Sequence, residues 1–258
     1  MIAQERQQEI IKILRESKVI RITDIVNRFD VSHETARRDL EYLKEQNLVK
    51  RVHGGAVFIN HPKEDLFSHL SNKEIGYAER VAIGKLTADL VCEGDTILLG
   101  VGTTMVEVAK NIKHKRNLTV ITYSIPAMIE LINSDVDVYL LGGKLNKDEL
   151  VMTGSLVRDT LCKFYVDKAI VGASGITFDE GISDYSSEDT SLTKLITGRT
   201  DKVILAAHSA KFGVNAFAME CTLRDIHVVV SDTNLSEEYR HGICEMGIEL
   251  FLADPVYE

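Results

Sequence analysis

Over the first sixty residues the apolar positions recur with a helical period. Gln4 to Glu16 forms one amphipathic run, Thr23 to Asp30 a shorter second, and Val31 to Leu40 opens a third. Within the third, Ala36, Leu40 and Leu43 fall at i, i+4 and i+7, which predicts a buried stripe. The pattern then changes. Leu48 to Phe58 is rich in β-branched residues around Gly54-Gly55, which predicts a hairpin. Residues 59–72 are polar and irregular and read as a linker, and a helical stretch begins at Lys73. Beyond Asp95, short apolar runs alternate with helical ones. The runs start at Thr96, Leu118, Val136, Lys168, Val203, His227 and Ile248; helices are expected over Val106–Ile112, Ile125–Ile132, Leu156–Cys162, Glu188–Thr197 and Glu237–Met246. Alternation of this kind predicts an α/β domain with a largely parallel sheet. The expected organisation is a module over 1–58, the linker, and a second domain over 73–258.

Three short helices followed by a basic hairpin is the layout of a winged helix-turn-helix. Ser32 is placed to cap the third helix, because its hydroxyl can accept from the free amides of the first turn. Glu34, Arg38 and Tyr42 then point away from the apolar stripe, with Thr35 and Arg37 flanking them. A recognition helix needs this division, since its N-terminal residues enter the major groove while its back is held. Arg37 and Arg38 suit phosphate or the O6/N7 edge of guanine, and His33, Glu34 and Thr35 are short enough to reach base edges. Lys50, Arg51 and His53 would sit on the wing near the flanking backbone. Operator DNA is the expected partner.

Charge sharpens the division. Residues 1–58 carry a balance of +2 and the remainder −11, within a net charge of −9. Any DNA contact is therefore expected at the N-terminal module, the acidic body being repelled by phosphate. The apolar runs are too short to span a membrane, and no signal-peptide pattern opens the chain. Cys92, Cys162, Cys221 and Cys244 lie far apart, without the spacing of a zinc or redox pair. They read as buried free thiols of a cytoplasmic protein. Nothing calls for a metal or a cofactor.

In an open parallel sheet, ligands gather at the carboxyl ends of the strands. After the first predicted strand comes Gly100-Val101-Gly102-Thr103-Thr104, leading directly into a helix whose free amides and dipole favour an anion. Tyr123-Ser124, Gly142-Gly143-Lys144, Gly172 to Ile176 with Ser174, and His208-Ser209-Ala210-Lys211 follow later strands. Lys211 could supply a positive charge to a phosphate.

The block Ser32-x-x-Thr35-Ala36-Arg37-Arg38-Asp39-Leu40, with Arg51-Val52-His53-Gly54-Gly55-Ala56, resembles the N-terminal domain of the DeoR family of bacterial transcription regulators. The resemblance covers nearly the whole chain. It implies that the second domain is similar to sugar-phosphate isomerases such as ribose-5-phosphate isomerase and binds a phosphorylated sugar or related anionic metabolite. It also implies a phosphate cradle at Gly102, Thr103, Thr104 and Lys211, a rim at Gly142, Gly143 and Lys144, and a role for Glu188. The chain departs from the family where Gly100-Val101 stands for Asp-Ser, Tyr123 for Asn, Ser174 for Asp and His208 for Asp. Three expected carboxylates are missing, which favours an effector more anionic than a simple monophosphate, such as a bisphosphate. The resemblance implies a repressor of a carbohydrate-utilisation operon, working as a homodimer or homotetramer. An isomerase needs a positioned carboxylate base beside its substrate; the loops at Gly100–Thr104 and Gly172–Ile176 offer none, and Asp184 and Glu188 lie near one strand end without a second acid to complete a pair, so no catalysis is expected. An architectural DNA binder is the third reading; the phosphate loops weigh against it.

Overall fold

The computed structural model describes residues 3–17, 19–45, 49–52, 54–58, 76–185 and 190–256. The chain forms two compact units, Met1–Ser68 and His69–Glu258. His53, Glu188 and the interval 59–72 lie outside the described residues.

In the first unit, α1 (Ala3–Ser17), α2 (Ile22–Phe29) and α3 (His33–Glu45) enclose a small core. Ile10 and Leu14 of α1, Ile25 of α2, and Ala36, Leu40 and Leu43 of α3 meet in it. The stripe predicted on α3 is the stripe that packs. Asp30 ends α2 in the left-handed conformation, with φ at 50°. The hairpin of β2 (Val49–Val52) and β3 (Gly55–Phe58) is joined by a strand that the sequence pattern did not reveal, β1 (Val19–Arg21). These strands form an antiparallel sheet in the order β1-β3-β2. Three residues between two helices are too few for periodicity to register. The two glycines of the turn serve different ends. Gly54 takes φ +81°, and a Cβ on Gly55 would lie 2.1 Å from the carbonyl oxygen of Ile20 on β1.

The second unit is built on seven parallel strands, and all seven coincide with the predicted apolar runs. Its sheet has the order β15-β14-β12-β9-β4-β5-β6. The strands are β4 (Thr96–Leu99), β5 (Thr119–Thr122), β6 (Asp137–Leu140), β9 (Val166–Val171), β12 (Thr200–Ala206), β14 (Val228–Asp232) and β15 (Glu249–Ala253). Successive residues serve opposite faces. Ile97 and Leu99 join a core with α4 (Tyr77–Asp89), α5 (Thr103–Ile112) and α6 (Ile125–Leu131), while Leu98 faces α7 (Ser155–Leu161) and α8 (Thr190–Thr197). Val203, Leu205 and Val229 form a third core with Ile243 of α9 (Glu237–Glu245). Both faces are thus covered over the inner strands, as a parallel sheet requires, and β6 is left as a largely exposed edge. The chain leaves β4 for β5 and β6, then returns to lay β9 on the other side of β4. That reversal is the topological switch point where such sheets open a crevice.

Two small sheets stand apart from the main one. β7 (Lys144–Asn146) pairs with β8 (Val151–Thr153), and β10 (Gly175–Thr177), β11 (Gly181–Asp184) and β13 (Ala218–Cys221) form an antiparallel ribbon. The expectation of buried thiols is corrected: Cys221 is buried and its thiol is pushed up to about 12 mainly by that burial, but Cys92 and Cys244 are exposed.

Candidate functional site

The reading surface is assembled around α3. Ser32 accepts a hydrogen bond from the Thr35 amide at 3.1 Å, and its hydroxyl lies 2.9 Å from that of Thr35. His33, Glu34, Arg37, Arg38 and Tyr42 are exposed, with Thr35 half-buried among them. Lys50 and Arg51 fall on β2. Asp39 lies between these exposed residues and the core. It is buried and accepts from Arg6 Nε at 2.6 Å, from Arg6 Nη2 at 3.3 Å and from Gln7 Nε2 at 3.0 Å. The motif's aspartate thus fastens α3 to α1. Sequence analysis left it without a role.

At the switch point of the second unit lies a cavity of about 510 Å³. Gly100 to Thr104 line it from the end of β4, Tyr123 and Ser124 from β5, Ser174 from the loop after β9, and His208 and Lys211 from beyond β12. Gly102 is the N-cap of α5; its carbonyl accepts from the Met105 amide at 3.1 Å, which leaves the Thr103 and Thr104 amides at the start of the helix without an intrahelical acceptor. Tyr123 is buried in the core and Ser124 caps α6 through the Ala127 amide at 3.3 Å, so these two shape the wall more than they offer free groups. The turn carrying Lys211 is pinned from behind. Buried Asp232 accepts from the Ser209 amide at 2.7 Å and from the Asn234 amide at 3.0 Å.

Gly142, Gly143 and Lys144 are not brought into the cavity lining. Gly143 is packed so closely that a Cβ would lie 2.6 Å from the Thr153 carbonyl oxygen, and Lys144 pairs with Thr153 across β7 and β8. The turn of that hairpin, Asp148 to Leu150, reaches the cavity instead. Sequence analysis also missed Arg80, which lines the cavity from α4 and is buried. Its signal was faint, because Glu79, Lys85 and Asp89 share the same helix and Arg80 reads as one charged residue among several. A Cβ on Gly76 would lie 3.5 Å from both Arg80 Nη1 and His208 Cε1, so the two side chains converge. His208 is held below the usual imidazole range, first by burial and then by Lys211 and Arg80; Asp232 and Glu79 oppose the shift. The imidazole is therefore neutral at pH 7 in a setting that already holds two fixed cations.

The expectation that the pocket has lost its acids is overturned. Asp148, Glu149, Asp184 and Glu220 all line it. Ser174 donates to Asp184 at 3.2 Å, and Thr193 donates to buried Glu220 at 3.0 Å. These carboxylates arrive from the β7–β8 turn, β11 and β13, none of which the apolar pattern revealed. The argument against catalysis from missing carboxylates falls with them.

Residues 6–62 match the DeoR-like helix-turn-helix domain, and residues 76–233 match the DeoR C terminal sensor domain. The chain belongs to the DeoR family. The DeoR-type chain is 33% identical to the transcriptional repressor AccR of Agrobacterium fabrum, over 89% of this chain and 90% of that one. It is 32% identical to the HTH-type transcriptional repressor GlcR of Bacillus subtilis over 98% of each. With a lactose phosphotransferase system repressor of Lactococcus lactis it shares 30% identity, over 91% of this chain and 92% of that one. Among solved structures, ribose 5-phosphate isomerase A of Methanocaldococcus jannaschii overlaps 54% of this chain and 55% of that one, at 15% identity and a TM-score of 0.40. No helix among the described residues is long and apolar enough to cross a membrane.

Proposed function

We propose that this DeoR-family chain represses a carbohydrate-utilisation operon in the cytoplasm, and that a phosphorylated sugar in the strand-end cavity sets its affinity for operator DNA. The reading rests on one observation above the others. The Thr103 and Thr104 amides that open α5 border the same cavity as the buried Arg80 and as Lys211. Helix N-terminus and fixed cations together make a phosphate site. The carboxylates revise the kind of anion. A second phosphate would meet Asp148, Glu149, Asp184 or Glu220, whereas sugar hydroxyls would donate to them. A sugar monophosphate fits better than a bisphosphate.

Names of relatives such as the lactose phosphotransferase system repressor support a link to sugar uptake. Arg37, Arg38 and the residues around them would read the operator from α3, with Lys50, Arg51 and His53 along its flank. Pairing on repeated half-sites calls for a homodimer or homotetramer. The test is thermal unfolding of the purified chain against phosphorylated sugars, their unphosphorylated forms and bisphosphates. A ligand bound only by the folded state raises the melting temperature with concentration over affinity. A monophosphate should do so, and turnover of any aldose phosphate would replace the regulatory reading with a catalytic one.

A further inference from the structure

The cavity at the switch point is walled from both faces of the sheet. α4, which carries Arg80, packs through Ile83 on the face of Ile97, Leu99 and Ile204. The β10–β11–β13 ribbon packs through Ile176 and Ile182 on the face of Val203 and Leu205. Successive residues of a strand look to opposite sides, so the ribbon closes the cavity across from Arg80.

The ribbon brings an aromatic ring to that wall. β11 ends at Asp184 and Tyr185 follows; both line the cavity. Asp184 accepts from the Ser174 hydroxyl at 3.2 Å and from the Tyr185 amide, which fixes the backbone where the tyrosine leaves the strand. Tyr123, which also lines the cavity, is 3% exposed and committed to the core. Tyr185 is 65% exposed, and among the described residues no aromatic ring packs on it. Its ring therefore stands at the mouth, with a flat apolar face that the core does not use.

We infer that Tyr185 is a specificity-determining residue: its ring stacks on the carbon face of the bound sugar, and the site thereby selects a closed-ring sugar phosphate over an open-chain one. The inference rests on the proposed phosphate site. With the phosphate held by the opening amides of α5, Arg80 and Lys211, the rest of the ligand extends toward the ribbon. A closed sugar presents C–H bonds on its face and hydroxyls around its rim. The face suits an aromatic ring, and the rim suits a carboxylate such as Asp184, whose oxygens offer about four acceptor sites. Apolar walls with a few placed polar groups are the usual make-up of a small-molecule site. An open-chain polyol phosphate has the same hydroxyls but no rigid face, and it loses several free torsions on binding, whereas the ring is already ordered.

The test is calorimetric titration of the full chain with ribose 5-phosphate, glucose 6-phosphate and galactose 6-phosphate, each against its alditol phosphate, which cannot close. Wild type should bind at least one aldose phosphate about tenfold or more tighter than its alditol. Tyr185→Ala should weaken that aldose phosphate ~5–10-fold and its alditol less than about twofold. Tyr185→Phe, which keeps the ring and loses the hydroxyl, should retain the preference. Phe217→Ala is the control, since Phe217 is 78% exposed but outside the lining, and should bind as wild type does. Equal affinity of wild type for aldose and alditol phosphates would overturn the inference and leave the phosphate site standing. So would a Tyr185→Ala variant that binds as wild type does or weakens both members of a pair alike. Absence of binding by every compound would overturn the phosphate site and the inference together. Should Tyr185→Ala fail to fold by circular dichroism, Tyr185→Leu takes its place with the same outcomes.

Discussion

Asp39 directly follows the two arginines proposed to touch DNA, yet it is buried against α1. Its bidentate bond to buried Arg6 makes it a fastener of the reading helix. Removing one partner of a buried pair leaves the other charge uncompensated, at a cost of about 3–5 kcal/mol. Asp39→Ala should therefore lower the stability of the reading unit by that order in chemical denaturation, while Arg38→Ala leaves stability within about 0.5 kcal/mol. In a binding assay Arg38→Ala should abolish operator affinity and keep the response to sugar phosphate. Lys211→Ala should do the reverse, holding operator but losing that response. His208 adds a pH dependence. Its pKa is lowered in the fold, so the unfolded chain takes up the proton first as pH falls below 6.5. Its contribution to stability is complete above that value and is lost as the pH drops toward its depressed folded value. A bound phosphate beside His208, Lys211 and Arg80 would favour the charged imidazole and bring in a proton. Affinity for a sugar phosphate should then rise from pH 8 to pH 6, and His208→Asn should flatten that rise in calorimetric titrations.

At the scale of elements, legibility followed length and burial. The inner main strands announced themselves as continuous apolar runs because both faces of the sheet are covered there, while β6, with Tyr139 and Leu140 exposed, forms an edge. The stripe on α3 announced itself because Ala36, Leu40 and Leu43 all pack into one small core. What escaped were strands of three or four residues, β1, β7, β8, β10, β11 and β13, whose partners lie at sheet edges or on ribbons. Half the chemistry of the cavity arrives on those pieces. Asp184 and Glu220 come from the ribbon, and Asp148 and Glu149 from a hairpin turn, so a reading centred on main-strand ends counted the lost acids and, Asp184 apart, missed the supplied ones. Gly142 to Lys144 erred in the opposite direction: they follow a main strand, but close packing against Thr153 turns them into the base of a hairpin. The Gly54-Gly55 pair was read correctly as a turn, though its steric demand came from an unseen strand. Gly55→Ala would force a Cβ against the Ile20 carbonyl, and should disrupt the three-stranded sheet and lower the melting temperature of the reading unit.

For the whole molecule, the account is one of linkage between a basic reading module and an acidic sensing domain. An effector that favours one arrangement of the paired chains over another shifts operator affinity by the same free energy, typically ~1–3 kcal/mol or 5–150-fold. The central claim is that the strand-end cavity holds a single phosphate between the α5 N-terminus, Arg80 and Lys211. The direct measurement is the melting temperature of wild type, Arg80→Ala and Lys211→Ala across matched sugars, sugar monophosphates and bisphosphates. The account predicts that a monophosphate stabilises wild type more than its unphosphorylated sugar or its bisphosphate does, and that both variants lose the effect. Equal stabilisation by a sugar with and without its phosphate, or a panel without response, would contradict it.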